Sequence, residues 1–291
     1  RLLQAAVGQG QNAAAAQVEG LVDRQRLGHN DRHALEALGV EVSPLPTALL
    51  SSQSDGFDSY FFQPLTKEMR SIIAEWQKLD LAFDSIYAGF LGSAEQVSLI
   101  TEFIHFHRAK KNPPLVLVDP VMGDDGELYG PMEKEHIDAM KKLVTEADCI
   151  CPNVTEAALL LGYPYRERFD EQTILQWAKE LAYQSKANVA ITSVPVEGKM
   201  AVACTEKDGS YLVYYDQIDT SYPGSGDLFA SILLAYLLDK DSFRLSVTKA
   251  AQLTALAIKK TQNLGYPYRH GVSVTSITGE LALNRIESKQ S

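Results

Sequence analysis

The sequence predicts an α/β fold in which a mostly parallel central sheet is flanked by helices. From about residue 40 onward, short apolar or β-branched runs alternate with amphipathic stretches, the pattern of strands joined by helical crossovers. Polar motifs containing glycine or asparagine fall where such a run passes into a helical stretch, which is where open α/β sheets place ligands. A late pair of runs around a short polar turn adds an antiparallel part.

Residues 40–50 and 84–89 read as strands, followed by 115–118, 149–151 and 189–192. Helical periodicity runs through residues 67–79, 94–109, 133–145 and 171–184. Residues 199–204 and 211–215, parted by Glu206-Lys207-Asp208-Gly209, read as a hairpin. Two mostly apolar helical stretches follow, at 228–238 and 245–261. No Pro/Gly/Ser-rich linker or repeat interrupts this region, so residues 40–291 read as a single domain.

The chain has 291 residues, 45% of them hydrophobic, enough to bury a large core. A formal net charge of −10 gives no electrostatic footprint for a nucleic-acid backbone. No apolar run approaches the roughly 18 to 20 residues that span a bilayer, and the start lacks the basic-then-apolar layout of a signal peptide. A cytoplasmic protein with neither a membrane nor a nucleic-acid partner is expected. Cys149, Cys151 and Cys204 are too few for a disulfide framework. The Cys-x-Cys pair lies in a predicted strand, where buried free thiols are expected rather than a metal or redox centre.

The chemistry-bearing motifs come in order along the chain. Asp119, in Val118-Asp119-Pro120-Val121-Met122-Gly123, ends an apolar strand and points beyond it, and Asp124, Asp125 and Glu127 continue as a polar loop. Pro152-Asn153-Val154-Thr155-Glu156 opens a helical stretch at 157–161. The spacing of Asn153 and Glu156 suits helix capping, and also suits a carboxylate ordering metal-bound water beside an amide on phosphate. Thr192 and Ser193 place hydroxyls at the end of a further strand. Finally Gly224-Ser225-Gly226-Asp227 leads directly into an apolar helix. Its glycines allow close approach and its first-turn amides carry positive partial charge, an anion hole with Asp227 beside it. Taken alone, the same residues could make only a turn and a favourable helix-dipole contact.

In this order, each at a strand-to-helix junction, these motifs resemble the ribokinase-like superfamily, specifically its pyridoxal kinase and hydroxymethylpyrimidine kinase branch. The resemblance covers roughly residues 33 to 285. Within the branch, Thr47, in Ser43-Pro44-Leu45-Pro46-Thr47, and Tyr87, in Tyr87-Ala88-Gly89-Phe90-Leu91-Gly92-Ser93, are most similar to pyridoxal kinases. The resemblance implies a ribokinase-like three-layer sandwich with no separate lid domain, and ATP-dependent phosphorylation of the 5'-hydroxymethyl of pyridoxal, pyridoxine or pyridoxamine. It implies Asp227 as base, the Gly224, Ser225 and Gly226 amides on the transferring phosphoryl, and Thr47, Tyr87 and Asp227 on the substrate. Asp119, Asn153, Glu156, Thr192 and Ser193 would serve ATP, and Asp119 and Glu156 would hold Mg²⁺ through water. K⁺ as a further cation, a homodimer, and residues 123–130 as a flexible cover over the nucleotide complete the expectation. A hydroxymethylpyrimidine kinase is the alternative within the branch, and a catalytically impaired nucleotide- or vitamin-binding homologue the alternative outside catalysis.

The resemblance also implies a first buried strand ending in an Asn-Asp or His-Asp step, with a nearby serine on the substrate. This sequence has no Ser or Thr before Ser43, and Asn30-Asp31 is followed by no serine. Residues 1–39 contain no Lys, Ile, Phe, Tyr or Pro either, and nothing in them has a strand's β-branched density. They read as an anomalous segment without a strand: a helical extension, a cloning artefact, or a misread or frame-shifted stretch.

Overall fold

The computed structural model describes residues 14–22, 30–52, 59–130, 132–216 and 220–288. In chain order its elements are β1 (Ala14–Val22), α1 (Asn30–Ala37), β2 (Glu41–Leu50), β3 (Phe62–Pro64), α2 (Thr66–Lys78), β4 (Ser85–Ala88) and α3 (Ala94–Arg108). Then come β5 (Leu115–Val118), a small hairpin of β6 (Gly123–Asp124) and β7 (Glu127–Leu128), α4 (Lys134–Leu143), β8 (Cys149–Ile150), α5 (Val154–Leu161) and α6 (Glu171–Ser185). The chain continues through β9 (Asn188–Val196), β10 (Lys199–Glu206), β11 (Gly209–Tyr215), α7 (Ser225–Leu238), α8 (Phe243–Asn263) and α9 (Thr278–Ser288). The strands lie in the order β11-β10-β9-β8-β5-β4-β1-β2-β3. Pairing is parallel from β2 through β9 and antiparallel at both ends, where β3 meets β2 and β10 meets its two neighbours.

Helices cover both faces, which explains the unbroken Leu-Val-Leu-Val of β5. Val116 and Val118 join a core built by α2 to α6, with Met69, Phe103, Met140 and Trp177. Leu117, between them, joins the opposite core with Tyr87, Phe229, Tyr236 and Val247, where α1, α7, α8 and α9 pack. The free thiols of Cys149, Cys151 and Cys204 all lie buried in that second core, as the composition implied. Burial raises all three thiols above their ordinary range, so none is poised as a thiolate.

One expectation is corrected. The tract read as lacking a strand supplies β1, which lies inside the sheet, its Gln17 and Val18 opposite Tyr87 and Ala88 of β4 and its Val18 opposite Leu45 of β2. Local β-propensity is weak here, but a strand paired on both sides is held by two backbone ladders, and that context overrides composition. Residues 30–37 likewise form a helix of the second layer, packed on α7. Residues 1–13 and 23–29 of the anomalous segment lie outside the described residues.

Beneath α3, the ring of His107 is 1% exposed and packs edge-on to Phe103 at 4.4 Å, with Phe83 and Phe106 beside it. Burial, then the charge of Lys110, pull the imidazole down from 6.5 to about 4. The unfolded chain therefore binds the proton first. His107's contribution to stability is complete above pH 6.5 and is lost as pH falls toward about 4, by at most about 1.4 kcal/mol per pH unit. In thermal unfolding followed from pH 7 to pH 4, His107→Leu should lose less stability than the unsubstituted protein. Parallel curves would show that His107 is not buried neutral.

Candidate active site

The parallel strands bring the motifs to one edge. Leu45, Val18, Ala88, Val118, Ile150 and Val189 are opposite one another in successive ladders and define a line across the sheet. Asp119 lies one residue beyond that line on the C-terminal side, Thr47 two, and Asn153 and Thr192 three. Tyr87 lies one residue short of it, 1% exposed within the second core.

α7 arrives at the same edge from the helical layer. Every residue from Leu228 to Tyr236 is buried, so the helix is fixed between the sheet and its neighbours. Gly224 caps it with φ of 80°, a left-handed backbone that a Cβ would strain. The first intrahelical bond runs from Leu228 N to Gly224 O. The amides of Ser225, Gly226 and Asp227 come before it, at the positive end of the helix. Ser225 N already donates to Tyr222 O. Gly226 lies against Asp119, whose Oδ2 would be 3.9 Å from a Cβ built there.

α5 begins with a complete capping box. Asn153 Oδ1 accepts from Glu156 N at 2.9 Å and Glu156 Oε2 accepts from Asn153 N at 2.8 Å. Glu156 Oε1 also accepts from Met122 N, and Asn153 Nδ2 donates to Gly123 O. Capping and site building are therefore the same set of contacts, tying α5 to the chain after β5. Glu156 is 3% exposed. Burial pushes its carboxyl up to about 8, against the pull of the Asn153 and Met122 amides and with a further push from Asp124.

The loop expected to cover nucleotide contains the β6–β7 hairpin, fastened to α5 by Gly126 N donating to Thr155 Oγ1 at 2.9 Å. Just after it stands Tyr129, which the sequence reading did not single out. Its phenol is raised above the ordinary range, first by burial and then by Glu156, Asp124, Asp227 and Asp119 together. One aromatic thus lies in the field of all four carboxylates, and its only signal in sequence is being the lone ring in a polar loop.

Thr192 is held by its amide on Pro152 O and bridges Asn153. Ser193, exposed, adopts φ of 54°, a strained backbone for a non-glycine. Thr47 is fully buried, its hydroxyl donating to Phe90 O at 2.9 Å. The structure therefore gathers Asp119, Asn153, Glu156, Thr192 and Gly224 to Asp227 at one strand edge, and sets Thr47 and Tyr87 farther along the sheet. A groove of about 410 Å³ beside Tyr163, Gln176 and Trp177 contains none of these residues.

The phosphomethylpyrimidine kinase family profile matches residues 29–272. A Bacteroides thetaiotaomicron protein, provisionally assigned as a phosphomethylpyrimidine kinase and solved with pyridoxal, is 33% identical with a TM-score of 0.86, covering 93% of this chain and 96% of that one. The Lactobacillus plantarum pyridoxal kinase structure is 27% identical with a TM-score of 0.86, over 94% of this chain and 98% of that one. An Arabidopsis thaliana pyridoxal kinase is 27% identical over 260 residues, 86% of this chain and 81% of the plant protein.

The double duty of Asn153 is testable by unfolding. Asn153→Ala removes the cap and the tie to Gly123 O, and should cost about 1–3 kcal/mol. Asn153→Asp keeps an acceptor for Glu156 N but loses the donor, and should fall between the two. Equal Tm for all three proteins would remove the capping box from the forces holding this edge.

Proposed function

Because the chain belongs to the phosphomethylpyrimidine kinase family, we propose that the strand-edge site transfers the γ-phosphoryl of ATP to a substrate hydroxyl. The protein is a kinase that phosphorylates the 5'-hydroxymethyl of pyridoxal, giving pyridoxal 5'-phosphate, with pyridoxine and pyridoxamine as related acceptors. The observation that carries this reading is the likeness, over nearly the whole length of both chains, to a protein solved with pyridoxal.

Asp227 is the base. Its carboxylate takes the hydroxyl proton, the freed oxygen attacks the γ-phosphorus, and the bond to the β-phosphate oxygen breaks to release ADP. The Gly224, Ser225 and Gly226 segment brings the positive end of α7 to the moving phosphoryl, with Ser225 N engaged on Tyr222 O before the ligand arrives. Asn153, Thr192 and Ser193 contact the nucleotide phosphates. Thr47 and Tyr87, both buried, form the inner wall of the vitamin pocket.

Magnesium fits the residues present. Asp119 and Glu156 offer only oxygen donors, and Glu156's two oxygens already accept backbone amides, which suits a metal held through water. Among the described residues no three His, Cys, Asp or Glu side chains form a metal-holding group, so most ligands would be water and phosphate. When bound, the ion would neutralise polyphosphate charge. K⁺ as a second cation, a homodimer and a cytoplasmic location belong to the same proposal. Three buried free thiols support the last. Among the described residues no helix is long and apolar enough to cross a membrane.

Asp227→Asn should bind ATP within a few fold of the unsubstituted protein by calorimetry, while kcat falls about 10²- to 10⁴-fold. Undiminished turnover would refute Asp227 as the base. The family description favours hydroxymethylpyrimidine as the rival acceptor. Parallel assays with Mg-ATP should give a higher kcat/KM for pyridoxal, and a clear preference for the pyrimidine would reverse the assignment. Binding of both ligands without phosphorylated product would mark an impaired homologue, a reading motivated by the absence of any Ser or Thr before Ser43.

A further inference from the structure

Thr47 occupies an irregularity in the sheet. In the β1–β2 ladder Glu19 is opposite Pro46 and Gly20 opposite Ala48, so Thr47 is the extra residue of a bulge. A bulged residue loses its place in the ladder, and its carbonyl must find partners elsewhere. Thr47 O accepts from Leu65 N at 2.9 Å and from the side chain of Gln96 at 2.8 Å.

Gln96 lies in the first turn of α3 and is fully buried. Its Oε1 accepts from Gly92 N at 2.8 Å, and its Nε2 donates to Thr47 O and, at 3.1 Å, to Thr66 Oγ1. With an N–H on one side and a carbonyl on the other, only this orientation of the amide satisfies both. One side chain thus joins the bulge in β2, the start of α2 and the segment after β4. That segment is bound a second time, by the Thr47 hydroxyl on Phe90 O. Gly92 lies so close to the Phe62 ring that a Cβ there would come within 2.9 Å of it, and the same ring packs edge-on to Phe90.

We propose that Gln96 is a positioning residue for the phosphoryl acceptor: by holding the Thr47 bulge and residues 90–92 together, it sets the fit of the vitamin ring without touching it. The proposal rests on the reading of Thr47 as part of the vitamin pocket. It distinguishes Gln96 from a general core residue, since the contacts it makes are all on the acceptor side and none involves Asp119, Glu156 or the start of α7.

The test compares Gln96→Leu with Leu181→Ala, a cavity variant in α6 chosen to lower Tm to a similar degree, together with Thr47→Val and the double variant Thr47→Val/Gln96→Leu. Losing the amide leaves Thr47 O short of a partner and Gly92 N unpaired, so Gln96→Leu should raise KM for pyridoxal and its Kd by calorimetry roughly ten- to hundredfold. KM for ATP should stay within about twofold, and Leu181→Ala should change neither. The double variant should be no worse than the poorer single variant, because both residues act through one bulge. Gln96→Glu should bind pyridoxal better at pH 5 than at pH 8, since only the protonated acid can donate to Thr47 O while accepting from Gly92. Unchanged pyridoxal KM, a parallel rise for ATP, additive effects, or the same change in Leu181→Ala would overturn the proposal. If the unsubstituted protein neither binds nor phosphorylates pyridoxal, the functional reading falls and this inference with it; if it does both and Gln96→Leu is normal, only the inference falls.

Discussion

Parallel strands cannot be joined by tight hairpins, so each one needs a crossover, and every crossover leaves the sheet at the same edge. In this chain that constraint places Asp119, Asn153, Thr192 and Thr47 within three residues of a single line through the ladders. No strand is central to the site by itself. What makes the site is agreement among ladders, and each ladder in turn depends on burial of both sheet faces by the two helical layers. α7 completes it because its middle is buried on every side, which fixes the end it presents to the edge.

A second constraint is electrostatic. A protein of net charge −10 that handles a polyphosphate must do so without broad attraction. At this edge burial opposes ionisation of both Glu156 and Tyr129, and the charges of Glu156, Asp124, Asp227 and Asp119 raise the Tyr129 phenol further. Positive character comes from oriented backbone amides, which bring no side-chain entropy to lose and no counter-charge of their own. The acidic composition and the phosphate chemistry are therefore compatible.

Much of this was legible in the sequence where periodicity was strong. The Leu115–Val118 strand has the same bounds in sequence and structure, because a parallel strand buried on both faces has a continuous apolar signature. The helices at α2, α3 and α6 differ from expectation by a residue at their ends, the usual fraying of a cap. β1 was illegible, since its Ala, Gln and Gly residues carry little β-propensity and its place depends on two neighbours far away in the chain. The hairpin β6–β7 was read as a plain loop for a related reason: its strands are only two residues long, and what orders them is Thr155 and Asn153 from another element. In the site, motifs at strand ends could be read because spacing is local. Tyr129 and Gln96 could not, because their importance lies in which segments they reach.

That difference bears on how a motif such as Asn153-Val154-Thr155-Glu156 should be understood. Its capping role and its proposed ligand role compete only if a side chain has one set of partners to spend. Asn153 uses its oxygen for the helix and its nitrogen for Gly123 O, while Glu156 takes one amide from the cap and another from Met122. Each group is locked at both ends before any ligand arrives, and a locked dipole or carboxylate needs little reorganisation when charge develops near it. The same contacts that make the helix start here also fix the loop after Asp119. Stability and readiness for chemistry then have a common cause at this edge, and a change that weakens one should weaken the other.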